Sequence, residues 1–235
     1  MVNNKNKNRC KVKICGITSV HDAALAKDAG ADYVGILVDV ASSERSLQIT
    51  KAIEIADECP IPTVLLLYNK SSSEIQDIVK KIRPDALQLL GQESPSQVEE
   101  LKKTVSCQLW KSVYLPAGNP DSVDKTVILE QMQAYTNAGA DYLLFDTVDT
   151  SQTPHRYGGT GKTCDWDLAS LLISDSPLPV FFAGGIRPEN VKNAIETMNP
   201  YGIDLCSGVE ASKGVKDHQK LISLMDQIEK ARISN

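Results

Sequence analysis

Cys15 and Asp146 are the two residues whose type and setting could move protons. Cys15 lies near the end of the apolar run KVKICGI (11–17) and is followed by Gly16. A thiol serves as a base or nucleophile once its pKa is lowered. Asp146 ends the apolar stretch YLLFD, where a carboxylate is costly to bury unless it is paired or at work. With apolar neighbours raising its pKa, such a carboxyl is suited to act as a general acid. Each has a plainer reading: Cys15 as an inert, buried small hydrophobe, Asp146 as a helix cap or loop anchor.

The stretch YGGTGKT (157–163) ends like a nucleotide-binding P-loop. The full pattern G-x-x-x-x-G-K-[ST] requires glycine at position 156, and the chain has Arg156 there. The preceding strand should run straight into the loop, yet Asp146 stands ten residues earlier. Composition and context both reject a nucleotide site. Gly159 and Gly161 still allow backbone N–H groups to approach an anion closely, the alternative being a flexible surface loop. Gly184 and Gly185 end the run PVFFAGG (179–185), and Gly208 ends GIDLCSG (202–208). Glycines after strands 7 and 8 are where many barrels hold a phosphate on backbone N–H groups. Simple turn chemistry is the other account of them.

Eight short apolar runs must position these residues: 11–17, 33–38, 63–68, 86–90, 108–115, 142–147, 179–185 and 202–208. Several are continuously apolar, as strands buried on both faces are. Helix-like segments separate them. SVHDAALAKDAG, from Ser19 to Gly30, has a Ser start and a Gly stop, and SSSEIQDIVKKI opens on a capping box of Ser71 with Glu74. RPENVKNAIETM predicts a helix starting near Pro188, and a short extra helix is expected after strand 8. The unit helix–AGAD–Tyr–strand occurs twice. Alternating strands and helices over 235 residues predict a single-domain (β/α)8 barrel of the TIM type, spanning 11–235, behind a flexible polar tail at 1–10. A doubly wound open sheet is the alternative, but the turn after its first strand would be Gly-rich and here reads CGIT. The longest irregular stretch is expected over 148–163, on the face where barrels place their catalytic loops.

Bulk properties narrow the function classes. Hydrophobic residues make up 42% and charged residues 23%, and the net charge of −5 offers no basic face for nucleic acid. No apolar run approaches the ~20 residues of a membrane helix, and the polar N-terminus lacks the apolar core of a secretory signal. The six cysteines are scattered, without a C-x-x-C pair or zinc-type spacing, and fit reduced thiols in a cytoplasmic protein.

In order along the chain, KICGIT (13–18), GADYVGILV, GGTGKTCDW (158–166), AGGIRPENV (183–191) and SGVEASKGVKD (207–217) resemble the motifs of the phosphoribosylanthranilate isomerases. These are tryptophan-biosynthesis barrels, and the resemblance runs from Lys11 to about Asp217. It implies an Amadori rearrangement of N-(5-phosphoribosyl)anthranilate, with Asp146 as general acid and Cys15 as general base. It implies that Asp204 and Arg45 contact substrate, Arg45 at the anthranilate carboxylate. Gly184, Gly185, Ser207 and Gly208 would bind the phosphate side, under a loop carrying Gly159 and Gly161. No metal or redox cofactor, no nucleic acid and no membrane is implied, and the assembly is a monomer or homodimer. Three segments depart from the family pattern. Ser43-Glu44-Arg45-Ser46 replaces a Ser-Pro-Arg-Tyr-like segment, Leu90 stands where the family has His, and the loop after strand 6 is longer, with Thr150 to Arg156 added. They leave open a barrel that acts on, or only binds, a different phosphorylated sugar or amine.

Overall fold

The structure is a computed structural model that describes residues 9–118, 124–149, 156–157 and 163–231. Eight parallel strands close into a barrel: β1 (Lys11–Ile14), β2 (Tyr33–Val38), β3 (Thr63–Leu67), β4 (Ala86–Leu89), β5 (Gln108–Pro116), β6 (Tyr142–Asp149), β7 (Val180–Phe182) and β8 (Gly202–Leu205). Neighbours pair in sequence order, and β1 closes the ring by pairing with both β2 and β8. Eight helices alternate with them: α1 (Val20–Ala29), α2 (Ile49–Glu58), α3 (Ser72–Ile82), α4 (Pro95–Thr104), α5 (Lys125–Asn137), α6 (Trp166–Ser174), α7 (Val191–Met198) and α8 (His218–Lys230). This is the expected (β/α)8 barrel.

The local signals act where the sequence places them. The Ser19 side chain accepts from the Asp22 N–H at the start of α1, and Gly30 ends that helix at φ 107°. Ser71 and Glu74 form a reciprocal capping box on α3. The repeated AGAD unit has a structural basis. Gly30 and Gly139 both adopt positive φ, and the Asp two residues later anchors the strand beside it. Asp32 accepts from the Val12 N–H at 2.9 Å, and Asp141 from the Leu109 N–H at 2.7 Å. Asp85, before β4, does the same for the Thr63 N–H of β3 at 2.7 Å. One carboxylate thereby fixes the entry of each of three odd-numbered strands.

Strand side chains alternate between the helix layer and the barrel interior. Ile14, Phe145, Phe182, Ile203 and Leu205 face the helices. Cys15, Leu37, Val64, Leu66, Ala86, Trp110, Leu144, Phe181 and Ala183 face inward. Trp110 stacks on Phe181 at 4.6 Å, with Tyr33 and Tyr142 against them. These rings plug the barrel below the strand ends that carry the candidate site.

Several boundaries differ from expectation. β1 stops at Ile14 and β7 at Phe182, because Gly16 (φ 72°), Gly184 (φ 100°) and Gly185 (φ 66°) turn the chain out of the ladder. β8 stops at Leu205 and gives way to a 3-10 turn over Ser207–Val209, which is the short extra helix. α7 begins at Val191 rather than near Pro188. The stretch 148–163 is not wholly irregular: β6 continues to Asp149, and Arg156–Tyr157 folds back antiparallel on Val148 and Asp149. Residues 1–8 of the expected tail lie outside the described residues. Its last two residues are anchored, Arg9 on Asp32 at 3.0 Å and the buried Cys10 beside the Pro200 carbonyl.

Candidate active site

Lys13, Cys15, Asp204 and Cys206 form a four-residue constellation on adjacent strands. Lys13 and Asp204 are register partners of β1 and β8, and the Cys15 N–H donates to the Leu205 carbonyl at 2.7 Å, so Cys15 and Cys206 come next in line. All four face inward. Lys13 is fully buried, and its Nζ lies 2.9 Å from Asp204 Oδ2. Burial disfavours the Lys13 ammonium, but the Asp204 carboxylate and then the Cys15 sulfur outweigh it, so its pKa rises. A charge is thereby held where water does not reach.

Cys15 is pulled below the ordinary thiol range. The largest cause is the neighbouring Cys206 side chain. Burial and the Asp204 charge oppose it, while the Lys13 and Lys216 ammoniums add to the pull. The space around the sulfur is tight: a Cβ placed on Gly35 would lie 2.9 Å from Cys15 Sγ, so only glycine leaves room for it. Cys10 and Cys164 behave in the opposite way, burial pushing each thiol up to about 12. All six cysteines are free.

Asp146 lies on β6 opposite Tyr114 of β5, and alternation with the inward Leu144 points it into the mouth. The Thr147 N–H donates to its Oδ1 at 2.7 Å. β6 and β1 are three strands apart around the barrel, so Cys15 and Asp146 border one central space from different sides.

Arg45 reaches the same mouth from the loop after β2. Its Nε and Nη2 donate to Glu210 Oε1 and Oε2 at 2.7 and 2.6 Å. Lys216 Nζ and the Gly214 N–H donate to Oε1 at 3.0 and 3.3 Å. Burial raises the Glu210 carboxyl, but these cations outweigh it and hold it at about 2. Glu44 and Lys213 pair alongside, so the loops after β2 and β8 are fastened twice.

The glycine turns after β7 and β8 lie against each other. A Cβ on Gly208 would come within 2.2 Å of the Ile186 carbonyl oxygen, so glycine is required for this approach. The Asn190 side chain closes the first turn, donating to the Gly185 carbonyl and accepting from the Arg187 N–H, both at 2.9 Å. Ser207 is exposed at the start of the second turn. Gly159 and Gly161 lie outside the described residues.

Of the expected site residues, Cys15, Asp146, Arg45, Asp204, Gly184, Gly185, Ser207 and Gly208 all lie at the C-terminal end of the barrel. Sequence reasoning passed over Lys13, Cys206, Glu210 and Lys216. Lys13 left a signal: a lysine two residues before Cys15, inside an apolar strand, must share its inward face. The Cys15–Cys206 pairing left none, since 190 residues separate them and only barrel closure joins them.

Residues 12–227 match the sequence model of the family N-(5'phosphoribosyl)anthranilate (PRA) isomerase. The N-(5'-phosphoribosyl)anthranilate isomerase of Methanocella arvoryzae is 36% identical over 221 residues, 93% of this chain and 97% of that one. The crystal structure of phosphoribosyl anthranilate isomerase from Thermotoga maritima superposes with a TM-score of 0.78 at 30% identity, covering 94% of this chain and 99% of that one. A further phosphoribosyl anthranilate isomerase, solved in complex with reduced 1-(o-carboxyphenylamino)-1-deoxyribulose 5-phosphate, gives a TM-score of 0.75 at 26% identity over 94% of this chain and 99% of that one. In sequence and in barrel geometry, the chain belongs to the phosphoribosylanthranilate isomerase family.

Proposed function

We propose that the chain is an aldose–ketose isomerase that converts N-(5-phosphoribosyl)anthranilate to 1-(2-carboxyphenylamino)-1-deoxyribulose 5-phosphate, a step of tryptophan biosynthesis. The observation that carries the reading is a thiol held below its ordinary range, Cys15, facing a carboxyl, Asp146, across the mouth of a barrel of this family. The Asp146 carboxyl protonates the furanose ring oxygen, and the ring opens to a Schiff base. The Cys15 thiolate takes the proton from sugar C2, giving an enolamine that tautomerises to the ketone. Acid and base work from different sides, as the shift requires.

The remaining residues have binding roles. The phosphate lies against backbone N–H groups at Gly184, Gly185, Ser207 and Gly208, with the loop at Gly159 and Gly161 above it. Asp204 Oδ1 is buried and has no hydrogen-bond partner among the described residues, which fits an acceptor for a sugar hydroxyl. Arg45 offers its Nη1 edge to the anthranilate carboxylate while Glu210 holds the rest of the fork. Every described residue in this account comes from one chain, so a monomer or a homodimer serves equally. Six free cysteines fit a reducing compartment, and a cytoplasmic location is part of this reading.

The test is loss of anthranilate fluorescence when purified protein meets phosphoribosylanthranilate. Turnover is expected, and it should vanish in Cys15→Ser and in Asp146→Asn. Absence of turnover in the unaltered protein, or full rates in either variant, would overturn the assignment.

A further inference from the structure

We propose that Tyr114 is a specificity-determining residue for the aryl end of the substrate: with its hydroxyl tied to the rim after β4, its ring joins Leu90 and Tyr68 in a fixed apolar wall that packs on the anthranilate ring. The inference rests on the reading of the mouth as a phosphoribosylanthranilate site. Three observations carry it. First, the polarity of the mouth is divided. The charged groups Lys13, Asp204, Arg45, Glu210 and Lys216 pair around the ends of β1 and β8. On the far side, Tyr68, Leu90 and Tyr114 continue the inward positions of β3, β4 and β5. Tyr68 and Leu90 pack on the inner apolar cluster, and Tyr114 is the register partner of Asp146. Leu90 is also one of the positions at which the chain departs from the family pattern.

Second, the one proton of the Tyr114 hydroxyl is used on the rim. It is donated to the Leu90 carbonyl at 2.5 Å. Burial, then the Asp146 carboxylate, raises Tyr114 well above the ordinary tyrosine range, so the hydroxyl keeps the proton that it donates. The residue therefore offers the mouth its ring rather than a donor. Third, the rim is held from behind. Lys111 is buried on the helix side of the sheet, in register with Leu89 and Leu143. Its Nζ donates to the Leu89 and Gly91 carbonyls at 3.3 and 2.8 Å and pairs with Glu93 at 3.1 Å. Glu93 Oε1 in turn accepts from the Asn69 and Gly91 N–H groups at 3.2 and 3.1 Å. A buried ion pair is costly to desolvate. This one fixes the loops after β3 and β4, and with them the carbonyl that anchors Tyr114.

The test compares kcat/KM of the full chain on N-(5-phosphoribosyl)anthranilate and on its 4-methyl and 5-methyl ring analogues. These ring positions lie farthest from the carboxylate and the amine. A fixed wall should penalise at least one methyl analogue about 10–200-fold, the range that one methylene commands in an apolar pocket. Tyr114→Ala should remove most of that penalty. So should Leu90→Ala, which keeps the carbonyl that holds Tyr114. Tyr114→Phe keeps the ring and loses the tie, so its penalty should fall below that of the parent. A parent without a penalty, or a parent-like penalty in Tyr114→Phe or in either folded alanine variant, would overturn the proposal. Loss of all turnover in Tyr114→Phe would also overturn it, by placing the hydroxyl in the chemistry. The unreactive reduced product and its methyl analogues give the same comparison as Kd ratios by fluorescence titration. A chain that turns over no substrate yet shows these Kd ratios would count against the isomerase reading and leave the wall standing. Turnover with flat ratios would remove the wall alone.

Discussion

Six free cysteines share this chain, and their surroundings divide them sharply. Burial is the main cause that lifts Cys10 and Cys164 to about 12, whereas Cys15, also buried, is lowered by its neighbour Cys206 and by the ammoniums of Lys13 and Lys216. Nucleophilicity follows the thiolate fraction. In the folded protein at neutral pH, iodoacetamide should therefore label Cys15 ahead of Cys10 and Cys164; equal labelling would remove the basis for Cys15 as base. Lys13 supplies part of that difference, and its replacement should show it. Lys13→Met strips the Asp204 carboxylate of its buried partner. A cost of about 3–5 kcal/mol in urea unfolding is expected, together with a higher pH midpoint for Cys15 alkylation, and a variant as stable as the parent would mean that water reaches Asp204. Cys15 and Asp146 stand out in the sequence as candidates because a thiol and a carboxyl end apolar strands, but their roles come from the family motifs around them. Lys13 shares the inward face of Cys15 by spacing alone, but its pairing with Asp204 is not legible because 191 positions separate them.

Elements place these side chains through their ends rather than their middles. The strand runs and helix caps were readable because each is a local code: apolar residues for both faces of a strand, Ser19 and Ser71 for starts, Gly30 for a stop. The strand ends were read too long wherever a glycine at positive φ or a 3-10 turn leaves the ladder, and those exits form the candidate site. Contact between the turns after β7 and β8 could not be read, because it depends on two loops meeting in space. Gly208→Ala tests that contact. Its Cβ would overlap the Ile186 carbonyl at 2.2 Å, so one turn must move. KM for the phosphorylated substrate should rise while the far-ultraviolet circular dichroism stays that of the parent. An unchanged KM would place the phosphate elsewhere. Between the loops after β2 and β8, Glu210 provides a pH-sensitive fastening. Its folded-state pKa of about 2 lies below the ordinary value of 4.5, so its contribution is complete above the ordinary value and drains away as pH falls toward 2. Over that window the parent should lose stability relative to Glu210→Gln; parallel stability curves would show that the pairing with Arg45 and Lys216 does not couple to folding.

At the scale of the whole barrel, stability and chemistry occupy opposite ends, and this division can be tested. The lower interior is an aromatic plug: Phe181 stacks on Trp110 at 4.6 Å and meets Tyr33, Tyr142 and Tyr201 edge-on at 5.5–5.9 Å. Gly202 completes it, for a Cβ there would stand 2.3 Å from the Phe181 ring. A rigid ring inside a closed barrel cannot slide away without disturbing its stacked neighbours. Gly202→Ala should therefore cost about 1–3 kcal/mol by overpacking, read as a lower urea midpoint with an unchanged denaturant slope. Asp204 lies two residues further along β8, yet the ladder from Lys11–Gly202 to Ile14–Leu205 holds that strand in register on β1. The Cys15 alkylation midpoint and kcat/KM should accordingly stay close to those of the parent. Activity lost at unchanged stability would show that plug and mouth are one mechanical unit, with strain entering at Gly202 delivered along β8 to Asp204 and Cys206.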